Sequence, residues 1–195
     1  MNRLPQIEAS AAKPEAAELM AGVQAALGVT PNMVKAMANS PAALKAWVQF
    51  NAAVGEGTLS GDIRERIALL VAEENGCDYC LSVHSYLATN VARISDSEIS
   101  QARNGHSEAP KAAAALKLAA AVVHTRGDVE YAELLAARSA GLTDEEIAEV
   151  VANVALNFYT NFFNRLAHTE IDFPVVQHVP HANAQPTGVR RFFRS

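Results

Sequence analysis

Apolar and polar positions along the chain recur at helical spacing, and no run alternates with the period of a strand. Ile63, Ile67, Leu70 and Val71 fall on one side of a helix opened at Ser60 and closed at Gly76. Another helix behind Ser40-Pro41 carries Leu44, Trp47, Val48 and Phe50, and a long last helix runs through Leu156, Phe162 and Leu166. Punctuation between these runs predicts the remaining boundaries. A first helix runs from about Pro14 to Leu27 and stops at Gly28; Thr30 caps the next one, with Pro31 in its first position. Another is expected from Asp78 to about Ala92. Ser95 and Glu98 then read as a capping box with Ile94 and Ile99 as its staple, and Thr143 and Glu146 as a second box stapled by Leu142 and Ile147. Between the boxes lie an Ala-rich helix to about Thr125 and one from Asp128 to about Ala140, ended by Gly127 and Gly141. The predicted fold is an all-α helical bundle.

A weak internal echo runs through this pattern. Ile63, Ile67, Leu70, Tyr79 and His84 recur 84 positions later as Ile147, Val151, Val154, Phe163 and His168, as in a duplicated helix pair. Asn161 and Asn164 stand where the first copy has Cys77 and Cys80. From Asp172 onward Pro174, Pro180 and Pro186 break the pattern, and the chain ends Arg190-Arg191-Phe192-Phe193-Arg194. One domain is expected over 1–171, with its core over about 44–166 and a tail over 172–195.

Composition removes several classes of function. Sixteen Lys and Arg against 21 Asp and Glu leave a net charge of -5, which provides no field for a phosphate backbone, so no nucleic-acid partner is expected. The apolar runs are too short to span a bilayer at about 20 residues, so no membrane partner and a cytoplasmic location are expected. A chain of 195 residues buries a core without disulfide staples, so its two cysteines, Cys77 and Cys80, read as a redox pair or a metal clip.

Their surroundings favour redox chemistry. Cys77 falls near a helix start, where free N–H groups and the positive end of the dipole stabilise a thiolate. His84 follows Cys80 by four residues and shares its helix face. Glu65 has no basic residue three or four positions away on its own helix. If the helices before and after Gly76 fold back on each other, Glu65 lies roughly 16 Å and His84 roughly 12 Å from the corner, so the carboxylate can orient the imidazole. Tyr79 and Tyr86 are candidate pocket walls, with aromatic packing the preferred reading for both. His106, His124, His178 and His181 have no evident partners in the sequence.

Glu65, eleven intervening residues, Cys77-Asp78-Tyr79-Cys80, three more residues and His84 together resemble the signature of AhpD-like alkylhydroperoxidases of the carboxymuconolactone decarboxylase superfamily. Leu142-Thr143-Asp144-Glu145-Glu146-Ile147 resembles its peroxidase-related branch. The resemblance implies a thiol-dependent peroxidase in which Cys80 attacks the peroxide, Cys77 resolves the sulfenic acid to a disulfide, and Glu65 and His84 relay protons. It implies a dithiol or protein electron donor and a homo-oligomer of trimeric or hexameric form; no cofactor is expected, and no metal, because the motif lacks the second Cys or His pair of a structural zinc module. Two features pull against it: the dipole argument favours Cys77 as nucleophile, and Tyr79 stands where the best-known members have a histidine. A dithiol–disulfide oxidoreductase and a non-catalytic redox- or metal-responsive oligomer are the alternatives.

Overall fold

The computed structural model describes residues 2–180. Among these residues the chain forms a short 3-10 turn (Ala9–Ala11), nine α-helices and no strand. The helices are α1 (Pro14–Leu27), α2 (Asn32–Met37), α3 (Pro41–Gly55), α4 (Gly61–Glu74), α5 (Asp78–Asn90), α6 (Asp96–Arg103), α7 (Pro110–Thr125), α8 (Tyr131–Ser139) and α9 (Asp144–Ala167). The all-helical expectation holds. No helix among the described residues is long and apolar enough to cross a membrane.

Helix ends follow local chemistry, with three departures from expectation. The Thr143 box is complete: the Glu146 N–H donates to Thr143 Oγ1 at 3.1 Å, and the Thr143 N–H to Glu146 Oε2 at 3.0 Å. The Ser95 box is only half formed, because the Glu98 carboxylate accepts from Ser107, Arg66 and the Glu108 N–H instead of turning back to its cap. Those charged and backbone donors outcompete one capping N–H. Pro31, not Thr30, caps α2; the Thr30 hydroxyl donates to Gln24 instead. Helix α8 starts at Tyr131, three residues after Asp128.

Helix α4 is the axis of the fold. It packs against α5, α6, α7 and α9, and every residue from Arg66 to Glu73 is buried. The period of Ile63, Ile67, Leu70 and Val71 marks one apolar face. Ala68, Leu69 and Ala72 fill the others, so neighbours enclose the helix on all sides. Two charges enter the interior with it, and each is paired. Arg66 reaches Asp62 at 2.7 Å and Glu98 at 2.9 Å, and Glu73 accepts from Arg103 Nε at 2.7 Å. Paired in this way, a buried charge is tolerated.

The segment after α9 does not leave the body of the protein within the described residues. Residues 170–180 are without helix or strand, yet they cross the start of α5 and are hydrogen-bonded to it. The Val176 N–H donates to Ser82 Oγ at 2.9 Å, the His178 N–H to Asp78 Oδ1 at 2.9 Å, and the Val179 N–H to Glu73 Oε1 at 2.6 Å. Asp172 accepts from the Asn32 N–H on the other side. Proline excludes this strap from regular structure, and side-chain acceptors satisfy its backbone instead. Phe192, Phe193 and His181 lie outside the described residues.

Candidate active site

The turn that produces the site is short. Helix α4 ends at Glu74, Gly76 takes φ +60°, and α5 starts at Asp78 with Cys77 as its N-cap. The left-handed conformation at Gly76 suits a residue without Cβ. It reverses the chain and leaves the first N–H groups of α5 without helical partners. One of these, on Cys80, donates to Cys77 Sγ at 3.4 Å, so a sulfur occupies the place usually taken by a capping oxygen.

The two sulfurs are 2.6 Å apart and share a hydrogen bond, with both cysteines in the thiol form. Each is almost wholly removed from solvent, but their electrostatics differ. The hydrogen bond from Cys80 holds the Cys77 thiol below its ordinary value; burial opposes this, and the Cys80 N–H and the Arg165 charge assist it. Burial pushes Cys80 well above its ordinary value, reinforced by its bond to Cys77, while the Asn164 and Asn161 amides work in the other direction. When the pair loses its first proton, the negative charge is therefore favoured on Cys77.

His84 lies one turn along α5 from Cys80, and its Nδ1 is 2.9 Å from Glu65 Oε2 on α4. The expected Glu65–His84 contact is thus present, and both side chains are about one-fifth exposed, at 23% and 21%. Among the described residues no hydrogen bond links His84 directly to either sulfur. Tyr79 is buried. Its hydroxyl accepts from the Met33 N–H at 3.1 Å, its ring meets Phe173 edge-on, and burial raises its phenol pKa. It packs more than it presents chemistry.

Beside Cys77 opens a cleft of about 440 Å³, walled by Gly76, Asp78, Tyr79, Asn164, Arg165 and Thr169 among others. Cys77 lines it and Cys80 does not. Asp78 holds the strap over one rim through His178, with Nδ1 and Oδ1 2.6 Å apart. Arg165 donates to the Asn75 carbonyl at the helix break.

Several residues of this site were not singled out as functional from the sequence. Asn164 donates through Nδ2 to Cys80 Sγ at 3.4 Å, and Asn161 accepts from Asn75 Nδ2 at 3.0 Å. Their signal was the 84-residue echo, which aligned them with the two cysteines. His178 and His124, without evident partners in the sequence, pair with Asp78 and with Glu74. These contacts join distant segments, so no local pattern announces them.

The comparisons agree with this architecture. Residues 41–123, from α3 into α7, match the profile of the carboxymuconolactone decarboxylase family. A peroxidase-related protein from Ralstonia eutropha JMP134 with an alkylhydroperoxidase AhpD core shares 23% identity, with 88% of this chain and 92% of that one aligned at a TM-score of 0.79. A peroxidase-related protein from Silicibacter sp. TM1040 shares 23% identity at a TM-score of 0.70, over 89% and 90% of the two chains. The debrominase Bmp8, solved in complex with 2,3,4-tribromopyrrole, shares 19% identity at a TM-score of 0.73, over 88% and 92%. No curated protein matches the chain significantly in sequence. The class is an all-helical AhpD-like fold around a Cys-x-x-Cys corner. Over residues 41–123 the chain is similar to the carboxymuconolactone decarboxylase family, and its fold is that of the AhpD-like structures.

Proposed function

We propose that the chain is a thiol-dependent peroxidase in which the Cys77–Cys80 dithiol reduces a hydroperoxide and is returned to the dithiol form by a dithiol or protein donor. The observation that carries this reading is the pair of sulfurs 2.6 Å apart, one favoured as thiolate at a helix start and lining a cleft. The resemblance implies that Cys80 attacks first, but the charge distribution supports the reverse order. Cys77 thiolate attacks the distal peroxide oxygen, the O–O bond breaks, and the alkoxide takes a proton from solvent in the open cleft and leaves as an alcohol, with Cys77 now a sulfenic acid. Cys80 then gives up its proton, attacks Cys77 Sγ and releases water as the disulfide closes.

In this order the Glu65–His84 pair serves the sulfur that needs it. A thiol whose acidity is already enhanced requires no base, whereas buried Cys80 does, and His84 lies one turn away with Glu65 setting its orientation. The AhpD-like neighbours support the peroxidase class. The debrominase neighbour suggests a second two-electron acceptor, a carbon–bromine bond, for the same dithiol. A homo-oligomer in the cytoplasm completes the reading, supported by the exposed Val151, Phe162 and Leu166 along one side of α9.

The test is thiol loss and sulfenic-acid trapping after one equivalent of cumene hydroperoxide. The parent is expected to form the intramolecular disulfide quickly, Cys80→Ser to stop at a trappable sulfenic acid on Cys77, and Cys77→Ser to stay reduced. Glu65→Gln should close the disulfide about a hundredfold more slowly. A sulfenic acid trapped on Cys80 in Cys77→Ser would restore the Cys80-first order. Oxidation of the parent no faster than that of a free thiol, with 2,3,4-tribromopyrrole consumed instead, would replace peroxide with an organobromide.

A further inference from the structure

Cys80 presents a problem that the peroxide chemistry does not solve. Every cycle of disulfide formation and opening must place negative charge on this sulfur, and its surroundings exclude water. From α5 it faces Cys77, with His84 and its partner Glu65 one turn further on. From α9 it faces two buried amides and no ionised group; the nearby Arg165 charge acts on Cys77.

The amides are unusual in their hydrogen bonding. Asn164 Nδ2 donates to Cys80 Sγ at 3.4 Å, while its Oδ1 is buried without a partner. Asn161 is wholly buried, its Oδ1 accepting from Asn75, and its Nδ2 has no partner although the amide lies against Cys80. An unpaired buried donor is costly and calls for an explanation.

We propose that Asn161 and Asn164 form an amide cradle for the negative charge that reaches Cys80 when the Cys77–Cys80 bond is made or broken, an inference that rests on the redox reading above. During reduction, one thiolate of a dithiol donor attacks Cys77 Sγ and forms a mixed disulfide as the Cys77–Cys80 bond breaks. The electron pair of the broken bond goes to Cys80. There Asn164 Nδ2 already donates, and Asn161 Nδ2 gains the acceptor it lacks at rest; Cys80 then takes up a proton. The donor's second thiolate displaces Cys77, leaving the donor as a disulfide and the protein as a dithiol. In the oxidising direction the same donors stabilise Cys80 as it loses its proton to attack. The second copy of the echoed pattern thereby serves the first.

The test uses the full chain carrying Cys77→Ser, where the only thiol is Cys80, and follows its alkylation by iodoacetamide at pH 8. Adding Asn161→Asp, which keeps the shape of the side chain and its acceptor for Asn75, should slow alkylation roughly ten- to a hundredfold, as should Asn164→Leu. A purely structural role has the opposite sign, because loosened packing exposes a buried thiol and speeds its alkylation. Rates equal to or above those of the Cys77→Ser parent in both variants overturn the cradle. No peroxide enters this measurement, so slowed alkylation supports the cradle even where cumene hydroperoxide leaves the unmodified protein reduced.

Discussion

The α4–Gly76–α5 corner and helix α9 carry the same spacing of apolar residues, 84 positions apart, and the protein uses them differently. In the first, Gly76 breaks the helix and exposes the N–H groups at the start of α5 beside Cys77 and Cys80. In the second, the equivalent of Gly76 is Thr160, whose hydroxyl donates back to the carbonyls of Leu156 and Asn157, and α9 runs through without interruption. Its N–H groups are committed to the helix, so this position offers no positive helix end for a thiolate. What α9 offers is a column of buried amides: Asn153 and Asn157 donate to carbonyls one turn back, and Asn161 and Asn164 turn to the sulfur site. The break at Gly76 is what separates the corner, with its two sulfurs, from the uninterrupted α9.

The largest expected effect comes from the difference in enclosure between the two regions. Leu69 lies at 0% exposure inside α4, whereas Leu166 on α9 is 62% exposed. Leu69→Ala should lower unfolding stability by about 2–5 kcal/mol through lost burial and a residual cavity, and Leu166→Ala by less than about 0.5 kcal/mol. Denaturant melts at low protein concentration measure both. A large loss at Leu166 would mean that α9's outer side is itself buried in an assembly.

A smaller contrast lies at the break. Gly76→Ala introduces a Cβ at φ +60° and brings it within 3.2 Å of His178 Nε2, so the strap must shift. Left-handed strain of about 1–2 kcal/mol is expected on thermal unfolding. Thr160→Ala removes a hydroxyl whose bonds lie within its own helix and should stay within about 1 kcal/mol of the parent. Equal losses at the two positions would remove the special standing of the corner.

The sequence disclosed these regions unevenly. Helical spacing, the Thr143 box and the Gly stops identify most elements because each is a local preference acting within a few residues. The Cys77, Cys80, His84 and Glu65 set was legible for a related reason: three of the four lie in one helix and its cap, and Glu65 needs only that the two helices fold back. Glu98 left its cap for Arg66 and residues 107–108, partners that its own helix does not contain. A tail is expected from Asp172 because the prolines beyond it exclude regular structure, and the strap lies at its start. Its anchors, Asp78, Ser82 and Glu73, lie about a hundred residues earlier. Asn161 and Asn164 stood out only as replacements in a repeat, and their use emerges only when α9 is packed beside Cys80.

The finest contrast is between the two thiols themselves, and pH separates them. Cys77 is held below its ordinary value by the hydrogen bond from Cys80, and Cys80 is raised above its own by burial. For an acid lowered in the folded chain, thiolate persists below the ordinary thiol range of about 8.5 and is lost as pH falls through the folded value. The Cys77 contribution to stability follows the same course: it is fully present above the unfolded thiol value and disappears as pH falls through the folded one. Cys80 has the opposite sign. Its stabilisation as a neutral thiol is complete below the unfolded value and declines as pH rises past it, because the unfolded chain ionises more readily. Iodoacetamide alkylation of the reduced protein, resolved by peptide mass, should therefore show Cys77 inflecting on the acid side of about 8.5 while Cys80 stays slow through that range. Breaking their hydrogen bond with Cys80→Ala should move the Cys77 inflection upward, since the largest cause of its acidity is gone. An inflection that stays in place would assign that acidity to the helix start and Arg165 instead, making the break at Gly76 sufficient to activate a lone sulfur.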